Sequence, residues 1–213
     1  MKPVLRKDAI FGFHTDLHAH QDDTVLWADL TEEMAENFLE EVKPDYFQFD
    51  CKGHYGYTSY HTQIGYASPG ITKDALALWR KVTKKHGVAL FVHYSGVFDW
   101  AVLQHHPEWA AKHADGTFNN LATSTFSPYV DEFLIPQLKE VITKYDIDGI
   151  WIDGDCWGAI LDYSDKAIEE FTKATGITDI PKSPDESHWK EFLKFQREQF
   201  KRYVTKYLDA LHE

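Results

Sequence analysis

The chain has 213 residues, enough to bury a real core, and is expected to form one domain over residues 1–213. With 43% hydrophobic and 26% charged residues it has the make-up of an ordinary soluble globular protein, and its formal charge of -12 excludes nucleic acid, since nothing here could neutralise a run of phosphates. No apolar run is long enough to span a bilayer, and the basic start, residues 1–8, lacks the apolar centre of a signal peptide, so a cytoplasmic location is expected with no membrane partner.

In chain order, residues 10–13 read as a short strand. Thr31 N-caps a helix that runs to Val42 with two acids in its first turn, and Pro44 closes it. Residues 46–50 form the second strand, followed by a loop rich in Gly, Tyr and His that reaches Gly70. A second helix occupies residues 73–86, ended by Gly87, and residues 88–94 form the third strand. A long loop with Trp100 and an Ala114-Asp-Gly-Thr turn leads to a helix over 128–144, and residues 147–152 are the fourth strand. From Ser164 the chain is helical, split at Gly176 and Pro181, and it ends in the amphipathic segment 186–212.

Strands and helices alternating at this spacing imply βαβ units and a parallel sheet. A complete (β/α)8 barrel typically takes about 250 residues, more with long loops. The expected fold class is α/β of the TIM-barrel type with the first four or so βα units, a half barrel. A doubly wound sheet is the weaker fit, because no Gly-rich phosphate loop follows the first strand. A half barrel leaves open edges, and a homo-oligomer or a C-terminal half of the barrel is the partner expected to cover them. Cys51 and Cys156 make no disulfide framework and are expected to be free thiols.

Barrels of this kind collect their chemistry at the C-terminal ends of the strands. The first strand delivers His14, Asp16 and His18, the second Asp50, Lys52 and His54, the third His93 and Tyr94, and the fourth Asp153 and Asp155. The fourth strand ends in Asp153-Gly-Asp-Cys-Trp157, where the glycine permits a sharp turn and Trp157 offers a flat face for stacking. An aromatic content of 15% and 12 histidines suit carbohydrate or metal binding. One chemistry for such a crater is glycoside cleavage with Asp153 as nucleophile. His14, His18, Asp50, Lys52, His54, His93, Tyr94, Asp155 and Trp157 would then hold the sugar, with no metal and no cofactor. A second is metal-assisted hydrolysis through Asp16, His18 and His20, which have a His-x-His spacing. A third reading is a half barrel that binds sugar without turning it over.

Three segments carry a resemblance to a known family. Residues 44–54, Pro-Asp-Tyr-Phe-Gln-Phe-Asp-Cys-Lys-Gly-His, are similar to the second-strand segment of family 29 glycoside hydrolases, the α-L-fucosidases. Residues 87–95, ending in Tyr94-Ser95, resemble their third strand. The run from Tyr129 through Gln137-Leu138 to Gly149-Ile-Trp-Ile-Asp-Gly154 resembles their fourth unit, with its Trp-x-Asp-Gly motif. The resemblance covers about residues 10–157 and implies a retaining glycosidase in which Asp153 is the nucleophile and His54 binds the sugar. Where fucosidases commonly show paired histidines followed by Asp-Gly-Phe, this chain has Gly53-His-Tyr-Gly56. The family's general acid/base lies beyond the fourth strand and is expected to be absent here.

Overall fold

The computed structural model describes residues 4–212, the side chains of residues 156 and 157 excepted. The elements run β1 (Gly12–Thr15), α1 (Glu32–Val42), β2 (Tyr46–Lys52), β3 (Tyr57–Thr58), β4 (Tyr66–Ala67), α2 (Ala75–His86) and β5 (Ala89–Ser95). After these come α3 (Trp100–His105), β6 (Ala110–Lys112), β7 (Phe118–Thr123), α4 (Ile135–Tyr145), β8 (Gly149–Asp153), α5 (Asp155–Gly158), α6 (Asp165–Thr175) and α7 (Trp189–His212). They divide into two compact units, Met1–Gly96 with Gln137–Asp153, and Val97–Pro136 with Gly154–Glu213. Among the described residues no helix is long and apolar enough to cross a membrane.

The first unit holds the expected parallel sheet. β1 pairs with β2, β2 with β5 and β5 with β8, all parallel, so the four strands lie side by side in chain order. This is the arrangement of consecutive βα units in a barrel. The helices end where local chemistry says they should. The Thr31 hydroxyl accepts from the Met34 N–H at 3.1 Å, and Asp74 accepts from Ala77 N–H at 3.0 Å, each satisfying an orphan donor of a first turn. α2 ends at Gly87 with φ 69°, whereas α1 ends at Lys43 with φ 50°, one residue before Pro44.

Side chains alternate across each strand. One face is aromatic and packs on helices: the Phe47 ring lies 3.9 Å from that of Trp79 on α2, and Phe13 meets Phe38 on α1 at 4.8 Å. The opposite face carries the rings of Tyr46 and Phe91, 5.0 Å apart, and the polar groups described below. These two rings lean over the outer strands, where glycine stands beneath each. A Cβ at Gly149 would come 2.7 Å from the Phe91 ring, and one at Gly12 would come 1.9 Å from Cζ of Tyr46. β2 departs from regular pairing once. Asp50 sits opposite His93 and Lys52 opposite Tyr94, with a bulge between.

In the second unit an antiparallel hairpin, β6 with β7, turns through Gly116 at φ 86°. Tyr163, Phe171 of α6 and Phe192 of α7 form a buried cluster. The Asp162 carboxylate ties this unit together, accepting from the backbone of Lys112 at 3.0 Å and of Ser164 at 2.8 Å.

The structure shifts some expected boundaries. The first strand begins at Gly12 because the N–H groups of Ile10 and Phe11 are taken by the Asp45 carboxylate, at 2.7 and 2.9 Å, and not by a neighbouring strand. The loop after the second strand contains β3 and β4, and the long loop after the third contains α3 and the hairpin. The helix before β8 starts with a π-helical turn, Val130–Leu134. Cys51 is a free, buried thiol whose pKa burial pushes up; Cys156 lies outside the described side chains.

Candidate active site

Six of the residues singled out in the sequence meet at the C-terminal end of the parallel sheet. Asp153 is the last residue of β8, and its Oδ2 lies 3.2 Å from Nε2 of His93 on β5 and 3.6 Å from Nε2 of His54. His54, in the turn after β2, is held by its other nitrogen, 2.9 Å from the Ser95 hydroxyl. His93 is likewise held: its Nδ1 lies 2.9 Å from Oδ1 of Asp50, one strand over. The second Asp50 oxygen accepts the backbone N–H groups of Leu17 at 2.9 Å and His18 at 2.7 Å. One carboxylate thus fixes both a buried imidazole and the loop that follows β1.

His18 is placed by an unusual backbone. Its φ is 49°, in the left-handed region that non-glycine residues seldom occupy. Gly53 is what admits it, because a Cβ there would come 2.7 Å from the His18 Cα. The His18 ring stacks on His93 with centroids 5.5 Å apart and meets His54 edge-on at 5.0 Å. His14 completes the group, 5.3 Å from the His93 ring and 5.8 Å from that of Trp151, with its Nε2 buried and unpartnered.

The remaining expected residues stand elsewhere. Lys52 and Tyr94 form their own pair, with the ammonium 5.1 Å from the ring centroid, and the Tyr94 hydroxyl lies 3.1 Å from that of Tyr60. Asp155 belongs to the second unit, where it accepts from Val97 N–H at 2.8 Å and the Tyr207 hydroxyl at 3.0 Å. The stacking face expected of Trp157 lies outside the described residues. Ser95, Trp151 and Gly53 stand in the motifs quoted above, but the sequence assigned none of them a place at the site. Ser95 and Trp151 could have been found by counting alternate residues from His93 and Asp153 along their strands.

The metal alternative built on Asp16, His18 and His20 finds those residues apart in their bonding. His18 pairs with Asp16 at 2.9 Å, while His20 pairs with Asp22 at 3.2 Å and packs on Tyr55. Among the described residues the one trio of potential ligand atoms within 4.8 Å is His18, Asp50 and His93. Two of that trio, Asp50 and His93, are hydrogen-bonded to each other.

Electrostatics separate His93 from His14 and His54. Burial lowers the pKa of His54, and neighbouring His18 adds to the effect; burial and His93 do the same to His14. At His93 burial pulls downward too, but the Asp50 hydrogen bond and charge, with those of Asp153, outweigh it and the net pKa is raised. Asp50 is lowered against its own burial by His93 and the two backbone N–H groups. The signs give a stability prediction. A histidine with a lowered folded pKa contributes stability that is present above the ordinary value and lost as pH falls. Replacing His54 with Gln should therefore cost less at about pH 5 than at about pH 7.5, on either side of the ordinary imidazole value. Thermal melts at the two pH values check this; a difference in Tm that grows on acidification would contradict it.

Comparison with known proteins agrees with this fold. The family model described as Alpha-L-fucosidase matches residues 35–206. An alpha-L-fucosidase of Dictyostelium discoideum is 29% identical over 133 residues, which are 60% of this chain and 26% of that protein. A putative alpha-L-fucosidase of Caenorhabditis elegans is 31% identical over 136 residues, 61% of this chain and 25% of the other. The aligned stretch is thus about a quarter of the length of those relatives. Among solved structures, alpha-L-fucosidase isoenzyme 2 from Paenibacillus thiaminolyticus superposes with a TM-score of 0.77 at 19% identity, covering 99% of this chain and 30% of that one. The partial-barrel architecture and the family match converge: the chain belongs to the alpha-L-fucosidase family.

Proposed function

We propose that this chain is a glycoside hydrolase of the α-L-fucosidase type, working by retention with Asp153 as nucleophile. The observation that carries the reading is the setting of Asp153. A carboxylate at the C-terminal end of a barrel strand is flanked by two imidazoles, each held by a second partner. An Asp153 oxygen attacks the anomeric carbon as the glycosidic C–O bond breaks, and water then releases the sugar from the glycosyl ester. On this reading His14, His18 and His54, grouped around His93 and Asp153, hold the sugar, and Trp151, nearly half exposed, offers an indole for it to pack on. The general acid/base is unassigned, and the reading needs neither metal nor cofactor.

The test uses a leaving group that departs without protonation, so that a missing general acid does not mask the nucleophile. Dinitrophenyl α-L-fucoside should release dinitrophenolate in a burst stoichiometric with protein, followed by a slower steady rate, and the galacto-configured analogue should be slower. Release without retention of configuration would overturn the nucleophilic reading. No release of dinitrophenolate would overturn the assignment of turnover to this chain.

A further inference from the structure

We propose that Asp50 and His93 form a positioning pair for Asp153: three side chains from β2, β5 and β8 are hydrogen-bonded end to end, so that an imidazolium anchored by one carboxylate aims the other. The proposal rests on the reading of Asp153 as nucleophile.

The chain of contacts is closed at every step. Asp50 is fixed on Oδ2 by the N–H groups of Leu17 and His18, and its Oδ1 faces Nδ1 of His93 at 2.9 Å. Nε2 of the same ring faces Oδ2 of Asp153 at 3.2 Å. Asp50 and His93 are each 1% exposed, so neither end of this contact is shared with solvent. An imidazole with a carboxylate at both nitrogens can donate to both only when it carries both protons. The titratable groups around it come from every neighbouring element: Asp50 from β2, Asp153 from β8, His14 from β1, His18 from the loop after β1 and His54 from the turn after β2. The three other histidines oppose a charge on His93, and the two carboxylates favour it. The directions at His93 and Asp50, raised and lowered, agree with a shared ion pair.

The geometry also selects an oxygen. Both His93 and His54 approach Oδ2 of Asp153. With Oδ2 so engaged, Oδ1 is the atom turned to the anomeric carbon. Ring rotation of His93 about its Cβ–Cγ bond would swing Oδ2 and the attacking oxygen with it, and Asp50 is what prevents that rotation. His93 and Asp50 act through Asp153 and touch no substrate atom in this scheme.

The experiment reads the ring nitrogens of His93 directly. In 15N-labelled full-length chain, long-range proton–nitrogen spectra across pH should show His93 doubly protonated through neutral pH. Asp50→Asn and Asp153→Asn should each move its midpoint down by about one pH unit or more, the scale of a lost neighbouring charge. Should D50N fail to fold, D153N removes the other carboxylate and reads the second contact of the same ring, at Nε2. In turnover of the dinitrophenyl substrate, D50N should lower kcat by about 10- to 100-fold with little change in KM, the scale at which groups behind a reactive residue act. The alkaline limb of its kcat profile should shift to lower pH with the midpoint of His93, which a merely structural loss would not move. A singly protonated His93 at neutral pH in the wild type, or an unmoved midpoint in both variants, overturns the pair. An inactive wild type with His93 midpoints that shift as expected overturns the nucleophile reading and leaves the hydrogen-bonded chain standing.

Discussion

Replacing Asp153 with glycine is expected to lower turnover of dinitrophenyl α-L-fucoside by roughly 10⁴-fold, the scale seen when a covalent nucleophile's machinery is removed. The dinitrophenolate leaves unaided, so the loss would report the nucleophile alone. Glycine opens a space where the carboxylate stood, between His93 and His54. Added azide should enter that space, restore release of dinitrophenolate and yield a fucosyl azide of inverted configuration. A glycine variant that keeps a tenth or more of the wild-type rate, or that gains nothing from azide, would remove Asp153 from the proposed role. A fall in rate accompanied by a fall in melting temperature would be ambiguous by itself, and the azide arm resolves it, since rescue requires a folded site.

The second large effect is expected on stability. Phe47→Ala should cost about 3–5 kcal/mol, from lost burial and the cavity left behind. Phe47 is fully buried, stacked 3.9 Å from Trp79, 6.0 Å from Phe38 and 6.3 Å from Phe13. Those three rings come from α2, α1 and β1, so this one side chain joins the sheet to both covering helices. Domains of this size are stable by only about 5–15 kcal/mol, so the variant is expected to be near the edge of folding at 37 °C. Urea unfolding of the two proteins checks it, with Leu208→Ala on the exposed face of α7 as a control expected to change stability by less than about 0.5 kcal/mol. A cost below about 1 kcal/mol for Phe47→Ala would mean that the sheet and helices are not packed through this ring.

The parallel order of strands was legible because short strands alternate with helices whose ends are marked, at Thr31 and at Gly87; the cap at Asp74, one residue inside the expected start at 73, was not. What misled was apolar character without backbone pairing. Ile10 is 97% exposed, and its N–H goes to Asp45, so a residue that looks like strand stands outside one. The hairpin of β6 and β7 was half visible, through the Asp115-Gly116 turn. Its flanks, Ala110–Lys112 and Phe118–Thr123, carry no clean alternation of apolar and polar residues to mark them as strands.

The clustering of His14, His18, Asp50, His54, His93 and Asp153 followed from their shared position at strand ends. Their pairing did not, because it depends on register. The unbroken register that begins at Tyr46 opposite Ala89 sets Asp50 against His93; the bulge after Asp50 then sets Lys52 against Tyr94, and nothing in the residue types announces an extra residue there. His93 and Tyr94 are sequence neighbours on one strand, so the pleat itself sends them to opposite faces. The role of Gly53 was hidden for a different reason. It is defined by what lies across from it, the backbone of His18, some 35 positions away in the chain.

The glycines under the Tyr46 and Phe91 rings have a consequence for how this sequence can drift. Each ring and the glycine beneath it share one volume, so neither position can change independently of the other. An alanine at Gly149 demands a smaller side chain than phenylalanine at 91, and the reverse order of change would pass through a void. Positions 12 with 46, and 149 with 91, should therefore vary as linked pairs among descendants of this chain. A library that randomises both members of a pair should recover folded variants that single substitutions never reach.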